Sequence, residues 1–311
     1  MNKKVIYTFS ALPYRQKIPV YGYYFGGKEK TVAVVGSMRG DEYQQMCVCA
    51  MLVKRLKALE EQCFIKADSG IVVIPSASQF SMNVGRRFFP VDNTDINRMF
   101  PGYNLGETTQ RLADSIFSTV KDYQYGIQLA SYYLCGDFVP HVRAIESGFQ
   151  DHSVADDFGL SYMVVRQPQP IDTTTLNYNW QVFNTTAFSV YSGSTSIVDM
   201  NQANASVDAI IRFLIKRGVI SEEAAVSDGV PTIHVGEGEM KKVQTQNAGL
   251  LHKMIKPGDR VNKGQVLGII IDPYEAEVLE EILSPCDGVV FFSRTAEAIA
   301  QHELVFTVRE E

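Results

Sequence analysis

Residues 30–36 (KTVAVVG), 41–61 (DEYQQMCVCAMLVKRLKALEE) and 70–75 (GIVVIP) together decide the fold class of this chain. The first and third segments are short β-branched runs bounded by Gly or Pro, a pattern typical of buried strands. In the middle segment, apolar residues recur at helical spacing and charged residues occupy the other side. A strand, a helix and a second strand at this spacing form a βαβ unit, so the sequence predicts an α/β protein with parallel strands.

Further segments extend this pattern to about residue 225. Residues 108–123 and 206–217 read as amphipathic helices, and Gly218 stands where a capping glycine ends a helix. Residues 125–134, 158–165 and 187–191 supply further strand candidates. We therefore expect a first domain, residues 1–225, with a mixed sheet flanked by helices. Residues 76–103 have little periodicity, and a loop of that length is uncommon unless it is functional.

The sequence pattern changes after Ser221, from segments with helical periodicity to short strands separated by turns. Residues 221–230 are polar and acidic, and from residue 231 onward short strands alternate with turn signals such as Lys256-Pro257-Gly258-Asp259. We expect a second, all-β domain over residues 226–311. The stretches Gly258-Asp259-x-Val261-x-x-Gly264 and Pro285-x-x-Gly288-x-Val290 resemble the barrel-sandwich fold of biotinyl and lipoyl carriers. Where those carriers present a lysine, this chain reads Glu275-Ala276-Glu277-Val278, so we expect neither covalent biotin nor lipoate.

The composition argues against several classes of binding partner and indicates the cellular compartment. Of the 311 residues, 45% are hydrophobic and 21% charged, with a net charge of −6, which argues against nonspecific binding to nucleic acid or to an anionic membrane. No apolar run reaches the roughly 18 residues of a membrane-spanning helix, and the first residues do not read as a secretory signal. The five cysteines are scattered, as expected for reduced thiols in a cytoplasmic protein.

Three polar clusters are the candidates for function. The first, residues 36–42 (GSMRGDE), follows the first strand and opens a helix, and ligands bind at such strand ends. The second joins Arg86 and Arg87 to the loop 90–102, where arginine suits carboxylate binding. The third is residues 140–143 (PHVR). Each has a purely structural alternative: helix capping for the acidic pair of the first cluster, Asp–Arg pairs that hold the second loop, and a buried histidine in the third.

Taken together, these clusters resemble the succinylglutamate desuccinylase/aspartoacylase family, which is related to the zinc carboxypeptidases. The most specific match is Asp92-x-x-Asp95-x-Asn97-Arg98-x-Phe100-Pro101-Gly102. The resemblance implies a zinc-carboxypeptidase-like sheet and a role for Asn97 and Arg98 in binding a substrate carboxylate. It also implies that Arg86 or Arg87 matches an arginine that polarises the scissile carbonyl, and the spacing does not choose between them.

The departures from the family pattern concern its zinc site. Where the family has a Gly-x-His-Gly-x-Glu motif, this chain has Arg39 for the histidine and keeps Glu42. The family's second histidine corresponds to Ala130, in Gln128-Leu129-Ala130, and its general-base glutamate to Tyr191. A catalytic zinc needs three protein ligands and an open position for water. Arg39 and Glu42 lie three residues apart, so an ion pair between them could fill the site.

The resulting expectation is a family member that binds an anionic small molecule, an acyl amino acid or a dicarboxylate, without family-type hydrolysis. The expected binding residues are Arg39, Arg86, Arg87, Asp95, Asn97, Arg98, Arg143 and Tyr191. No cofactor is expected. The alternative is a metal-dependent hydrolase of N-acyl amino acids, or of related amides and esters, that uses a rearranged site. Glu42 would then be catalytic, and His141 is the best replacement ligand. The resemblance also allows a homo-oligomer.

Overall fold

Strands and helices alternate through the first part of the computed structural model, which describes residues 1–9 and 17–311. The strands of this part are β1 (Asn2–Phe9), β2 (Ile18–Gly26), β3 (Val32–Ser37), β4 (Gly70–Ser76), β5 (Tyr125–Ala130), β6 (Gly136–Phe138), β7 (His141–Ile145), β8 (Tyr162–Arg166) and β9 (Thr186–Tyr191). Its α-helices are α1 (Tyr43–Glu61), α2 (Gln79–Asn83), α3 (Thr108–Val120), α4 (Leu176–Val182) and α5 (Met200–Lys216). Short 3-10 helices cover Ile96–Arg98, Ser153–Phe158 and Pro170–Thr174.

The remaining part is almost entirely β-structure. Its strands are β10 (Ile233–Gly236), β11 (Met240–Gln244), β12 (Gly249–Lys253), β13 (Arg260–Val261), β14 (Val266–Ile271), β15 (Val278–Leu283), β16 (Gly288–Arg294), β17 (Ala298–Ile299) and β18 (Leu304–Glu310). A single 3-10 turn, Glu237–Glu239, is the helical element of this part within the described residues. The predicted change from α/β to all-β structure is confirmed.

A mixed sheet forms the centre of the α/β part, with the strand order β1-β2-β4-β3-β5-β9-β7-β8-β10. The four strands β4, β3, β5 and β9 are mutually parallel, so their carboxyl ends lie at one edge. Strand β7 runs antiparallel to β9, and its first residue, His141, pairs with Tyr191 at the end of β9. Residues of several strands therefore meet at this edge, where ligands bind in α/β sheets.

Helices cover both faces of the sheet. Alternate residues of β3 point to opposite faces, as the period of two in a strand requires. Val32 and Val34 pack in the core that includes α1 and α5, while Ala33 and Val35 pack in the core that includes α3 and α4. Both faces of β3 and β4 are buried, which explains why these strands read as continuous apolar runs. The predicted α/β fold with a mixed sheet flanked by helices is confirmed.

The predicted elements differ from the observed ones mainly at their ends. Helix α1 begins at Tyr43, and helix α5 begins at Met200, six residues before the predicted start. Gly218 has φ of +72° and follows the end of α5, as predicted for a capping glycine. The antiparallel pair β1–β2 was not predicted, because its strands are partly exposed and carry no continuous apolar run.

The chain divides into two compact units, and the division differs from the predicted boundary at residues 225/226. The first unit ends at His234, because residues after 225 still bond to it: Thr232 Oγ1 donates to the Leu160 carbonyl (2.8 Å), and Ile233 N donates to the Ser161 carbonyl (2.9 Å). The second unit comprises Val235–Glu311 together with Ser131–Val139 and Gly193–Thr195. The segment Ser131–Val139 belongs there because β6 pairs with β16.

The second unit contains two antiparallel sheets over one apolar core. One sheet has the order β11-β18-β16-β13, with β6 added beside β16, and the other has the order β15-β14-β12-β17. Gly258 and Gly264, at the predicted turns, have φ of +95° and +80°. In the turn between β14 and β15, where carriers present their lysine, Ala276 has φ of +58°. Among the helices of the described residues, none has the length and apolar character needed to cross a membrane.

Candidate functional site

The loop between β3 and α1 lies at the carboxyl edge of the sheet and carries the first candidate residues. Glu42 is fully buried, and its Oε2 accepts hydrogen bonds from the backbone N–H groups of Met38 (2.7 Å) and Arg39 (3.1 Å). The carboxylate is therefore held by the turn that follows β3. Glu42 is also the residue that precedes the first turn of α1, where the helix dipole favours a negative charge.

The Arg39 side chain bridges two carboxylates, and only 5% of it is exposed. Its Nη1 donates to Glu42 Oε1 (3.0 Å), and its Nη2 and Nε donate to the Asp95 carboxylate at 2.9 and 3.2 Å. Burial alone lowers the pKa of an arginine, but the charges of Glu42 and Asp95 raise the pKa of Arg39 above its ordinary value. We call Glu42, Arg39 and Asp95 the carboxylate–guanidinium triad.

Asp95 belongs to the loop that carries the most specific sequence match, and it fixes the next turn of that loop. Its Oδ1 accepts from the backbone N–H of Asn97 (3.0 Å), which caps the 3-10 helix Ile96–Arg98. Asn97 is buried, and its Oδ1 accepts from the backbone N–H of Leu176 (3.1 Å) at the start of α4. The amide oxygen of Asn97 is thus engaged in a structural contact. Within the described residues, its Nδ2 has no hydrogen-bond partner.

Arg98 stands next to the triad and is partly exposed. Its Nη1 donates to the carbonyl of Asn97 (3.2 Å), and no carboxylate of the described residues lies within ion-pair distance of it. Burial lowers the pKa of Arg98, an effect that the charge of Asp95 opposes and that of Arg39 reinforces. Because arginine remains charged in proteins, this guanidinium keeps donor groups for an incoming anion.

Arg86 and Arg87, between which the sequence did not choose, occupy different environments. Arg87 donates from Nη1 to Asp41 Oδ2 (3.0 Å), and both side chains are mostly buried. The backbone carbonyl of Arg87 also accepts from the N–H of Gly40 (3.2 Å). These two contacts connect the loop of Arg87 to the loop between β3 and α1. Arg86 is exposed to solvent. Of the two, Arg87 is the one held against the triad's own loop.

The third cluster lies where the end of β9 meets the start of β7. The His141 ring is fully buried and stacks on the Tyr191 ring at 4.6 Å between centroids, with the planes 6° apart. The Arg143 guanidinium carbon lies 4.5 Å from the centroid of the Tyr191 ring, and its Nη1 donates to the Tyr191 hydroxyl (3.4 Å). Register places Ala130 beside Tyr191, at the end of the neighbouring strand β5. His141 is therefore part of an aromatic stack.

The side chains at this edge differ from the three zinc ligands that the resemblance implies. Glu42 Oε1 is bonded to a guanidinium and Oε2 to two backbone N–H groups, Ala130 offers no ligand atom, and Arg39 brings a positive charge. In residues 1–9 and 17–311, no group of three His, Cys, Asp or Glu side chains is placed to hold a metal ion.

One ion pair near Arg98 was not predicted. Arg166, at the end of β8, donates from Nη1 to Asp172 Oδ2 (2.7 Å), and the charges of both residues influence Arg98. Although burial raises the pKa of a carboxyl group, the hydrogen bonds from Arg166 and from the Gln169 N–H keep the pKa of Asp172 below its ordinary value. The two residues flank a Gln-Pro-Gln-Pro segment, and no motif in the sequence marks them as a pair.

Comparison with known proteins agrees with the fold and the resemblance. The family model "Succinylglutamate desuccinylase/Aspartoacylase catalytic domain" matches residues 28–215. An N-alpha-acetyl-L-2,4-diaminobutyric acid deacetylase of Halomonas elongata is 24% identical over 302 residues, which cover 91% of this chain and 83% of that protein.

Solved structures show the same fold over nearly the whole chain. A succinylglutamate desuccinylase from Silicibacter sp. TM1040 superposes with a TM-score of 0.80 at 19% identity and covers 94% of this chain and 90% of its own. The product-bound ectoine utilization protein EutE (DoeB) from Ruegeria pomeroyi has a TM-score of 0.77 at 18% identity, with coverage of 95% and 90%. At these identities the likeness concerns the fold.

Proposed function

The chain belongs to the succinylglutamate desuccinylase/aspartoacylase family, and from that premise we propose that it binds an anionic small molecule without family-type zinc hydrolysis. The ligand class is an acyl amino acid or a dicarboxylate. The single observation that carries the proposal is the carboxylate–guanidinium triad. Its arginine stands at the family's first histidine position and bonds the one remaining ligand residue, Glu42.

The triad replaces the charge of a metal by the charge of a guanidinium. The carboxylates of Glu42 and Asp95 share one mostly buried site and repel each other. Arg39 offsets that repulsion through hydrogen bonds of 2.9 to 3.2 Å to both of them. A zinc ion at Glu42 would have to displace Arg39, and the displaced guanidinium would remain nearby as a repelling charge. The charge of Arg39 therefore opposes zinc binding in addition to the loss of two histidines.

The same electrostatics indicate where an anion would bind. Arg39 is balanced by two carboxylates and Arg87 by Asp41, so these arginines form less of a cationic pocket than the sequence suggested. Arg98 keeps guanidinium donors, and Asn97 Nδ2 lies on the adjacent residue. A carboxylate that accepts from both would receive charge-assisted hydrogen bonds. Arg143, against the Tyr191 ring, is a second cation for a longer ligand.

The alternative function is a metal-dependent hydrolase of N-acyl amino acids with a rearranged site. It is favoured by the similarity to a deacetylase over 91% of the chain and by the retention of Glu42. Two observations argue against it: both oxygens of Glu42 already accept hydrogen bonds, and His141 is buried in the stack with Tyr191.

We also propose that the protein works in the reducing cytoplasm. All five cysteines are free thiols, which agrees with that proposal.

Ligand titration of the wild-type protein tests the proposal. We expect succinate or N-acetylated amino acids to raise the melting temperature in the presence of EDTA, because binding to the native state alone stabilises it. The amides of the same compounds, which lack the carboxylate, should have no effect. Arg98→Ala should weaken binding roughly 10- to 100-fold, since a hydrogen bond to a charged group contributes about 1.5–3 kcal/mol.

The matched control is Arg86→Ala. Arg86 was among the binding residues expected from the sequence, but its side chain is exposed and the proposed site uses Arg98 and Asn97 instead, so its removal should leave the affinity unchanged. Binding or hydrolysis that disappears with EDTA would support the metal-dependent alternative instead. A protein that no carboxylate ligand stabilises, or an Arg98→Ala variant that binds like the wild type, would refute the proposal.

A further inference from the structure

Sulfur atoms of three side chains come together where helix α1 contacts the start of helix α5. The Cys47 Sγ lies 3.8 Å from the Sδ of Met51 and 3.9 Å from the Sδ of Met200. Cys47 and Met51 are one helical turn apart on α1, and Met200 is the first residue of α5. No residue of this cluster takes part in the proposed anion site, and the inference drawn from it is independent of that proposal.

The fold holds these sulfurs in place through Gln44. Gln44, Cys47 and Met51 are spaced i, i+3 and i+7, so they share one face of α1. The buried amide of Gln44 bonds both backbone groups of Asp199: its Oε1 accepts from the Asp199 N–H (2.9 Å), and its Nε2 donates to the Asp199 carbonyl (3.1 Å). The residue after Asp199 is Met200, which is thereby held over Cys47.

A second contact fixes the start of α5. The Asp199 Oδ1 accepts from the N–H groups of Asn201 (2.8 Å) and Gln202 (3.1 Å) and so caps the helix. The backbone of Met200 is therefore constrained on both sides. Its side chain is 53% exposed, while Cys47 and Met51 are partly buried. The cluster is thus ordered by its backbone and open to solvent on one side.

We propose that Cys47, Met51 and Met200 form a binding site for a soft monovalent metal ion, Cu(I). Thiolate and thioether are the ligands that Cu(I) selects, whereas Mg²⁺ and Ca²⁺ prefer oxygen. On binding, the Cys47 S–H bond breaks, a Cu–S bond forms, and the proton passes to solvent with no change in oxidation state.

The Cys47 sulfur is close enough to each thioether sulfur to share a metal ion with it. Two metal–sulfur bonds of roughly 2.3 Å, the length of a bond between zinc and a thiolate, can span sulfur–sulfur separations of up to about 4.6 Å. The separations from Cys47 Sγ to Met51 Sδ and to Met200 Sδ, 3.8 and 3.9 Å, both fall within that limit. No large movement of Cys47 toward either thioether is therefore needed.

Competition for Cu(I) with a chromophoric bicinchoninate chelator, under anaerobic reducing conditions, tests the proposal. We expect the wild-type protein to withdraw about one Cu(I) per chain. Cys47→Ser should abolish this uptake, and Met200→Leu should weaken it by at least tenfold while leaving the thiol count unchanged. Gln44→Leu should also weaken it about 10- to 100-fold, as expected of a residue that orients a ligand.

Two control variants and one spectrum make the test decisive. Cys63→Ser removes an exposed thiol at the end of α1, and Met46→Leu removes a thioether of α1 outside the cluster; both should bind Cu(I) like the wild type. Leucine matches methionine closely in volume, so the methionine variants should fold. X-ray absorption of the copper-loaded protein should show three sulfur ligands. Cu(I) uptake that is lost in Cys63→Ser, or that is unchanged in Cys47→Ser, would overturn the proposal.

Discussion

Arg39→Met should lower the free energy of unfolding by about 3–5 kcal/mol, the usual cost of removing one partner of a buried ion pair. The substitution keeps the apolar stem of the side chain and removes the guanidinium. Glu42 and Asp95 are then left as two carboxylates that share one mostly buried site without a cation. Chemical denaturation followed by fluorescence of Trp180, which is fully buried, measures the change.

The matched control is Arg87→Met, which breaks the pair with Asp41 on the adjacent loop. That pair is less buried than the triad, so its loss should cost less than half as much. The triple variant R39M/E42Q/D95N removes the uncompensated charges and should recover part of the stability lost in Arg39→Met. Equal, small losses for Arg39→Met and Arg87→Met would contradict the role assigned to the triad.

R39H/A130H should acquire a zinc site, which we propose that Arg39 and Ala130 deny to the wild-type protein. The two substitutions place histidine at both positions where the family has one, and they release Glu42 Oε1 from the guanidinium. Residue 39 lies just after strand β3, and residue 130 is the last residue of strand β5. These two strands are parallel neighbours, so their carboxyl ends meet at one edge of the sheet. With Glu42, the variant has the three ligands that a zinc ion requires.

The gain is measured by elemental mass spectrometry after dialysis and by the shift in melting temperature with Zn²⁺. We expect about one zinc per chain and a stabilisation of about 4 kcal/mol at a zinc concentration 1,000-fold above Kd, which EDTA reverses. A130H alone should bind no zinc, because Arg39 still bonds Glu42. If A130H binds as well as the double variant does, Arg39 is not the obstacle, and if the double variant binds none, the three positions do not form a metal site.

The fold was predictable because its signals are local. The β-branched runs of β3 and β4 and the periodic helix between them lie within 45 residues of one another, and each is recognisable from its own pattern. Strand β6 was not separable in this way. Its three residues join the second unit by pairing with β16, about 150 residues later. No pattern within Gly136–Phe138 predicts that pairing.

The candidate site was predictable only in part. The loop motif located Asp95, Asn97 and Arg98, and the spacing of Arg39 and Glu42 suggested the ion pair that the structure has. The second bond of Arg39, to Asp95, joins residues 56 positions apart and depends on how the loop packs. The sequence did not show that Arg39 also pairs with Asp95 or that Arg87 pairs with Asp41, because both pairs depend on how the loops pack.

The zinc content of the wild-type protein, purified without a metal-binding tag, tests the central claim most directly. The protein is incubated with Zn²⁺, dialysed, and analysed by elemental mass spectrometry. We predict a stoichiometry near zero, because Arg39 bonds the only remaining ligand residue of the family's site. About one tightly bound zinc per chain, retained in Cys47→Ser and lost in Glu42→Gln, would contradict the account and favour the hydrolase.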